Sequence, residues 1–138
     1  MMITKQDLED YRFREIALEQ QFAKLKMWQN RLTRLNTTYG LSQLGYPSDY
    51  TRLQAIVDEI EAHIEELSRK YSEVDILINR IPDPKIKAVM NQYYVLCATD
   101  WDEVAAVIGI SVRTAHRLHG YGLELLRHMQ EQTEDTVI

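Results

Sequence analysis

Eight apolar residues, Leu53, Val57, Ile60, Ile64, Leu67, Tyr71, Val74 and Ile78, follow one another at spacings of 4, 3, 4, 3, 4, 3 and 4. Side chains so spaced line one narrow stripe of a helix, and a stripe of that width is a seam that needs a partner helix. The run commits a long segment to a single helix and calls for another beside it. The backbone breakers agree: all five glycines and three prolines lie within 40–47, 82–84 and 109–122, so 1–39 and 48–81 contain none. Chains that fold as β-sheet place turn residues roughly every 8 to 12 positions, which excludes an all-β fold.

The partner for the seam is close by. Thr4 and Asp7 have the spacing of a reciprocal helix cap. From there Leu8, Tyr11, Leu18, Phe22, Leu25, Leu32 and Tyr39 fall near heptad positions, with Ile16, Trp28 and Leu35 widening the stripe and register slips at Glu15, Gln29 and Asn36. The pattern predicts one amphipathic helix of about 33 residues, near 50 Å long at ~1.5 Å per residue. Gly40 should stop it, residues 40–50 should form a loop, and Ser48 or Asp49 should start the second helix. Two helices of similar length joined by a short loop form an antiparallel hairpin. A seam shared between two copies of the chain satisfies the same spacing.

Ile81-Pro82-Asp83-Pro84 should end the second helix and begin a third, with Asp83 as cap and Pro84 at the first helical position. That helix carries Ile86, Val89, Met90, Tyr93, Tyr94 and Leu96 and should end near Cys97 or Ala98. The expected architecture is all-α. A long N-terminal antiparallel helical hairpin or coiled-coil arm, residues 1–80, precedes a C-terminal helix-turn-helix unit, residues 81–138.

Charge narrows the function. The chain carries 16 basic and 21 acidic side chains, for a formal charge of −5. That sum alone weighs against nucleic-acid binding, which depends on neutralising phosphates. Its distribution points the other way. Between Glu103 and Glu124 there is no acidic residue, and the window holds Arg113, His116, Arg117 and His119.

The punctuation around that window is specific. Thr99, with Asp102 three positions on, can cap a short helix that buries Trp101, Val104, Ala105 and Ile108. Gly109 supplies a left-handed turn where a Cβ would clash, Ile110 plugs the corner, and Ser111 caps the next helix. A short helix, a Gly-containing turn and a Ser-capped helix are the sequence form of a helix-turn-helix. Its second helix enters the major groove by the N-terminal end, so the first two turns should carry donors and no acids. Residues 112–119, Val-Arg-Thr-Ala-His-Arg-Leu-His, fit that requirement. Arg113, Thr114, His116 and Arg117 take outward positions, while Val112, Ala115 and Leu118 face inward. Arginine pairs bidentately with guanine in the major groove, and Ser111 and Thr99 at helix N-termini suit phosphate.

The run from Asp100-Trp101-Asp102-Glu103 through Gly109-Ile110-Ser111-Val112-Arg113 to Gly122-Leu123-Glu124-Leu125-Leu126 resembles the fourth conserved region of bacterial sigma factors. With its long helical arm, the chain resembles the small sigma-like regulators of phages and prophages of Gram-positive bacteria, a group that includes the ArpU-type late-gene regulators. The likeness covers about residues 81–128. It implies binding of double-stranded DNA at a promoter element and contact with RNA polymerase. Separately, the seam of the helical arm leads us to expect a homodimer. Two departures stand out. Gly122 replaces the usual small apolar residue late in the second helix, and with Gly120 it should bend or loosen that helix. No segment matches the sigma region that reads the upstream hexamer and melts DNA, so a regulator is expected rather than a complete sigma factor.

Other classes are less well served. No Ser/His/Asp grouping, Gly-rich phosphate loop or paired carboxylate points to an enzyme. His116, His119 and His128 lack companions at metal-ligand spacing, so no metal or cofactor is expected. Cys97, Trp28 and Trp101 read as buried core, and His63 as solvated. The lone cysteine and the absence of an apolar run of about 20 residues or an N-terminal leader pattern suggest a cytoplasmic protein with no membrane partner. Two alternatives carry over: a phage small terminase, in which the DNA module usually comes first, and a coiled-coil protein-interaction adaptor.

Overall fold

The computed structural model describes residues 2–39 and 47–135, and the side chains of 2–35 and 49–132. Among these every regular element is a helix: α1 (Lys5–Tyr11), α2 (Arg14–Tyr39), α3 (Pro47–Asn79), α4 (Pro84–Met90), α5 (Trp101–Ile108) and α6 (Val112–Asp135). α4 continues as a wide π-helical turn, Asn91–Val95. The expected stop at Gly40 and most of the following loop lie outside the described residues. α3 starts at Pro47, just before the predicted Ser48 or Asp49.

The chain divides into two compact units, one of residues 14–70 and the other of 1–13 with 71–138. One division falls at the start of α2, between Phe13 and Arg14, and the other inside α3. Pro82 and Pro84 mark the close of one helix and the opening of another: Asp83 accepts hydrogen bonds from the N–H groups of Lys85 and Ile86, as its position before Pro84 requires.

The predicted single N-terminal helix is interrupted at Arg12–Phe13, with no glycine or proline to signal it. Thr4 and Asp7 do form the reciprocal cap of α1. The break has a tertiary cause. The carbonyl of Arg12, which a continuing helix would bond to residue 16, accepts instead from the Cys97 thiol at 3.3 Å, and the Arg12 guanidinium donates to the Ala98 carbonyl at 2.6 Å. Local propensity yields to partners that lie 85 residues away in sequence.

In the 14–70 unit the inward face of α2 is Leu18, Gln21, Leu25, Trp28, Leu32 and Leu35, all half-buried. Phe22, expected in the stripe, is 53% exposed, and Trp28, expected to be buried, is not. On α3, Val57 and Ile60 are buried and Leu53, Ile64 and Leu67 half-buried. The last seam residues, Tyr71, Val74 and Ile78, are buried within the other unit, where Tyr71 meets Tyr11 edge to face.

One core cluster of that second unit is Val89, Ala98, Val104, Ala105 and Ala115. α5 ends on Gly109 at φ 81°, and the N–H groups of Gly109 and Ile110 both donate to the Ala105 carbonyl. Open space surrounds the position of a Cβ on Gly109, so the left-handed backbone, and not the expected clash, is what requires glycine there. α6 then runs unbroken through both of its glycines, contrary to the expected bend. A Cβ on Gly122 would come within 2.6 Å of Met90 Sδ and 3.0 Å of its Cγ, because α4 crosses α6 at that point. A Cβ on Gly120 would meet nothing. Glycine in a helix interior costs ~1 kcal/mol relative to alanine. At Gly122 that cost is offset by close packing, and at Gly120 nothing within the fold offsets it.

The N-terminal segment is fastened to the far end of α6. The Gln130 side-chain amide donates to the Ile3 carbonyl at 3.1 Å and accepts from the Ile3 N–H, with Ile3 and Leu8 buried. Met90 is fully buried, so its side chain can make room only by repacking against its neighbours. Gly122→Ala should therefore lower stability by about 1–2 kcal/mol despite its better helix propensity, read as a lower midpoint in urea unfolding followed by circular dichroism; an unchanged or higher midpoint would show that the α4–α6 crossing is loose.

Candidate nucleic-acid interface

α6 owes its start to Ser111, whose hydroxyl oxygen accepts from the Thr114 N–H at 3.1 Å and whose O–H donates to Thr114 Oγ1 at 2.8 Å. The inner face of the helix is apolar: Ala115, Gly122 and Leu126 are buried, and Val112 and Leu118 half-buried. Burying that face fixes the rotation of the helix, and the side chains opposite must point to solvent. Arg113, His116 and Arg117 are exposed, Thr114 is half-buried, and Ser111 is exposed at the N-terminus. The strip has no carboxylate on its own helix before Glu124, which is also exposed.

Thr99 differs from the others. The cap of α5 is Asp100, not Thr99: the Asp100 carboxylate accepts from the Glu103 N–H at 2.8 Å. The Thr99 N–H donates to the Glu103 carboxylate at 2.7 Å. The better acceptor displaced the hydroxyl, since a charged oxygen makes the stronger bond to a helix N-terminus. Thr99 is left beside Asp100 and Glu103, whose charges repel phosphate.

Behind the strip stands a column of flat groups. The Arg12 guanidinium lies 4.0 Å over the Tyr93 ring, Tyr93 stacks on Trp101 at 4.3 Å and 14°, and Trp101 meets His116 at 4.5 Å. Such contacts contribute about 0.5–1.5 kcal/mol each beyond the area they bury. Trp101 is half-buried: it packs against the core cluster, as expected, and is also a layer of this column. His116 forms its outermost layer, so the imidazole that faces solvent is oriented from beneath.

His119, one turn further along and half-buried, is bonded through Nε2 to the Tyr94 hydroxyl at 2.6 Å, and its ring lies 4.8 Å from that of Trp101. Burial, with smaller contributions from the charges of Lys5 and His116, pulls the imidazole from its ordinary 6.5 down to about 4. Burial, more than the nearby Glu9 and Tyr93, also pushes the fully buried Tyr94 phenol well above its usual range. The pair is neutral at physiological pH, and the side chain is a structural bridge between α6 and the π-helical turn.

Cys97, expected to be buried, is exposed, with its backbone at φ 54°. The loop around it is shaped by hydrogen bonds from the Leu96 N–H to the Asn91 carbonyl and from the Ala98 N–H to the Gln92 carbonyl. Among the described residues no group of three His, Cys, Asp or Glu side chains could hold a metal ion. No helix among them is long and apolar enough to cross a membrane.

A family model described as "Protein of unknown function (DUF1492)" matches residues 43–126, more than half of the chain. The chain belongs to this family. The DUF1492 match takes in α3, α4, α5 and most of α6, and with them the Gly109 turn, the Ser111 cap and the exposed arginines. No curated protein and no solved structure matches the chain.

The neutral His119 carries a pH signature. The unfolded chain takes up a proton near pH 6.5 that the folded chain accepts only near pH 4, so stability is complete above 6.5 and falls as the pH drops through that window. Between pH 7.5 and 5 the thermal midpoint should fall by more in the native protein than in His119→Gln. Equal falls would mean that the imidazole is not held neutral.

Proposed function

We propose that α5, the Gly109 turn and α6 form a helix-turn-helix that binds double-stranded DNA, and that the protein is a sequence-specific transcriptional regulator of the sigma-like phage type. The observation that carries this reading is the acid-free outer face of the first three turns of α6, which presents Arg113 and Arg117 to solvent directly after a Ser-capped N-terminus. A helix that enters the major groove by its first turns needs these features: donors outward, no carboxylate before the groove wall, and an inner face buried firmly enough to hold its rotation.

Within this reading Arg113 and Arg117 read bases or hold phosphate, Thr114 and His116 flank them, and Ser111 with the first N–H groups of α6 meets a phosphate. Thr99, bonded to Glu103, is the weakest member of the set. The arm, α2 with α3, serves to join two copies. α2 carries five basic and two acidic residues against three and six in residues 47–70, and its Ile16, Phe22 and Met27 are exposed. A twofold pairing would set the basic helix of each copy against the acidic one of the other and cover those apolar side chains. Contact with RNA polymerase belongs to the same reading, through the likeness to sigma region four.

The test is a selection from random duplexes followed by titration of the winning site. Arg113→Ala and Arg117→Ala should each weaken binding by about 5- to 100-fold, with the helical circular dichroism intact. Undiminished affinity in both variants would remove α6 as the reading helix. Light scattering adds the oligomer: a dimer fits regulation, whereas a ring of many copies would favour a DNA-packaging terminase.

A further inference from the structure

Gly120, on the outer face of α6, is a residue that the fold does not explain. It is exposed and lies in the middle of a continuous helix, where glycine is disfavoured, and a side chain there would touch nothing. Gly122, two positions on, shows the contrast, since there the packing of α4 forbids a Cβ. What Gly120 provides is a bare stretch of backbone on a surface that otherwise projects long side chains. His116 and Arg117 stand one turn before it, Tyr121 beside it, and Glu124 one turn after.

Its place along the helix suggests the occupant. Gly120 lies eight residues beyond Val112, or about 12 Å along the axis at 1.5 Å per residue. The major groove is itself about 12 Å wide. A helix seated by its N-terminal turns in that groove brings its third turn level with the sugar-phosphate ridge that forms the groove wall. Arg113 and Arg117 are on the groove side of Gly120, and beyond it the exposed side chains are of mixed charge, Glu124, Arg127 and Glu131, so the acid-free stretch ends where the ridge would end.

We propose that Gly120 is the seat of a DNA backbone strand: the missing side chain lets the phosphodiester approach the helix closely enough for Arg117 to bond it. This rests on the helix-turn-helix reading above and adds a contact to it. In this arrangement the glycine sacrifices some stability of the free protein for closeness of approach in the complex. It acts by permitting contact, and Arg117 supplies the charge.

The experiment uses the full chain and a fluorescent 30-base-pair duplex pool of random sequence at low salt, because backbone contact does not depend on base identity. Gly120→Ala should raise the thermal midpoint by about 3–5 °C and weaken duplex binding about fivefold. Gly120→Leu, with helicity retained, should weaken it at least tenfold and reduce the slope of log affinity against log salt by about 1, the mark of one lost phosphate contact. His128→Ala, on the same face two turns on, should bind as the native chain does. Native-like binding and salt slope in Gly120→Leu would overturn the proposal while leaving the DNA-binding reading in place. If the native chain binds no duplex, both fall together.

Discussion

The rotation of α6 is fixed by the burial of one face, and the surface chemistry of the C-terminal unit follows from that rotation. Ala115 packs with Val104 and Ala105 of α5, Leu126 is buried near the N-terminal segment, and Gly122 allows α4 to approach until Met90 fills the space of a missing Cβ. A helix gripped so closely cannot turn about its axis without burying Arg113 or exposing Ala115. Burial of a few small residues thus decides which side chains face solvent, at a far larger energetic stake than any exposed charge could contribute.

A second layer of order comes from the column that runs from Arg12 through Tyr93 and Trp101 to His116. It joins the turn after α1, the π-helical turn, α5 and the outer face of α6 in one contiguous stack. The same Arg12 breaks the N-terminal helix by giving its carbonyl to Cys97 and its guanidinium to Ala98. An N-terminal residue thereby stabilises the loop that precedes α5, and the Ile3–Gln130 pair fastens the segment again at the other end of α6. A small C-terminal unit gains from such an addition, since a short chain buries too little surface to be stable alone.

Much of this was legible in the sequence where the signal was local. The heptad run of α3, the caps at Thr4, Asp83 and Ser111, the left-handed Gly109 and the outward set Arg113, His116 and Arg117 all depend on residues a few positions apart. What sequence could not supply was long-range. The break at Arg12 has no local marker because its cause lies at Cys97 and Ala98. Gly122 and Gly120 read alike as helix weakeners, and only the neighbourhood of Met90 separates a packed glycine from a bare one. Thr99 was expected to cap α5, and its neighbour Asp100, the stronger acceptor, does so instead. Phe22 was placed inward by its apolarity, although Gln21 holds that position, because a half-buried pair of helices tolerates a polar residue in its seam.

The claim at the centre is that the exposed face of α6 is the surface that meets DNA. Titrating a duplex into isotope-labelled protein and following amide chemical shifts residue by residue tests it most directly. Perturbations concentrated between Ser111 and Tyr121, with α2 and α3 unmoved, are the expected result. Shifts confined to other helices, or none at duplex concentrations well above those of nonspecific binding, would contradict it.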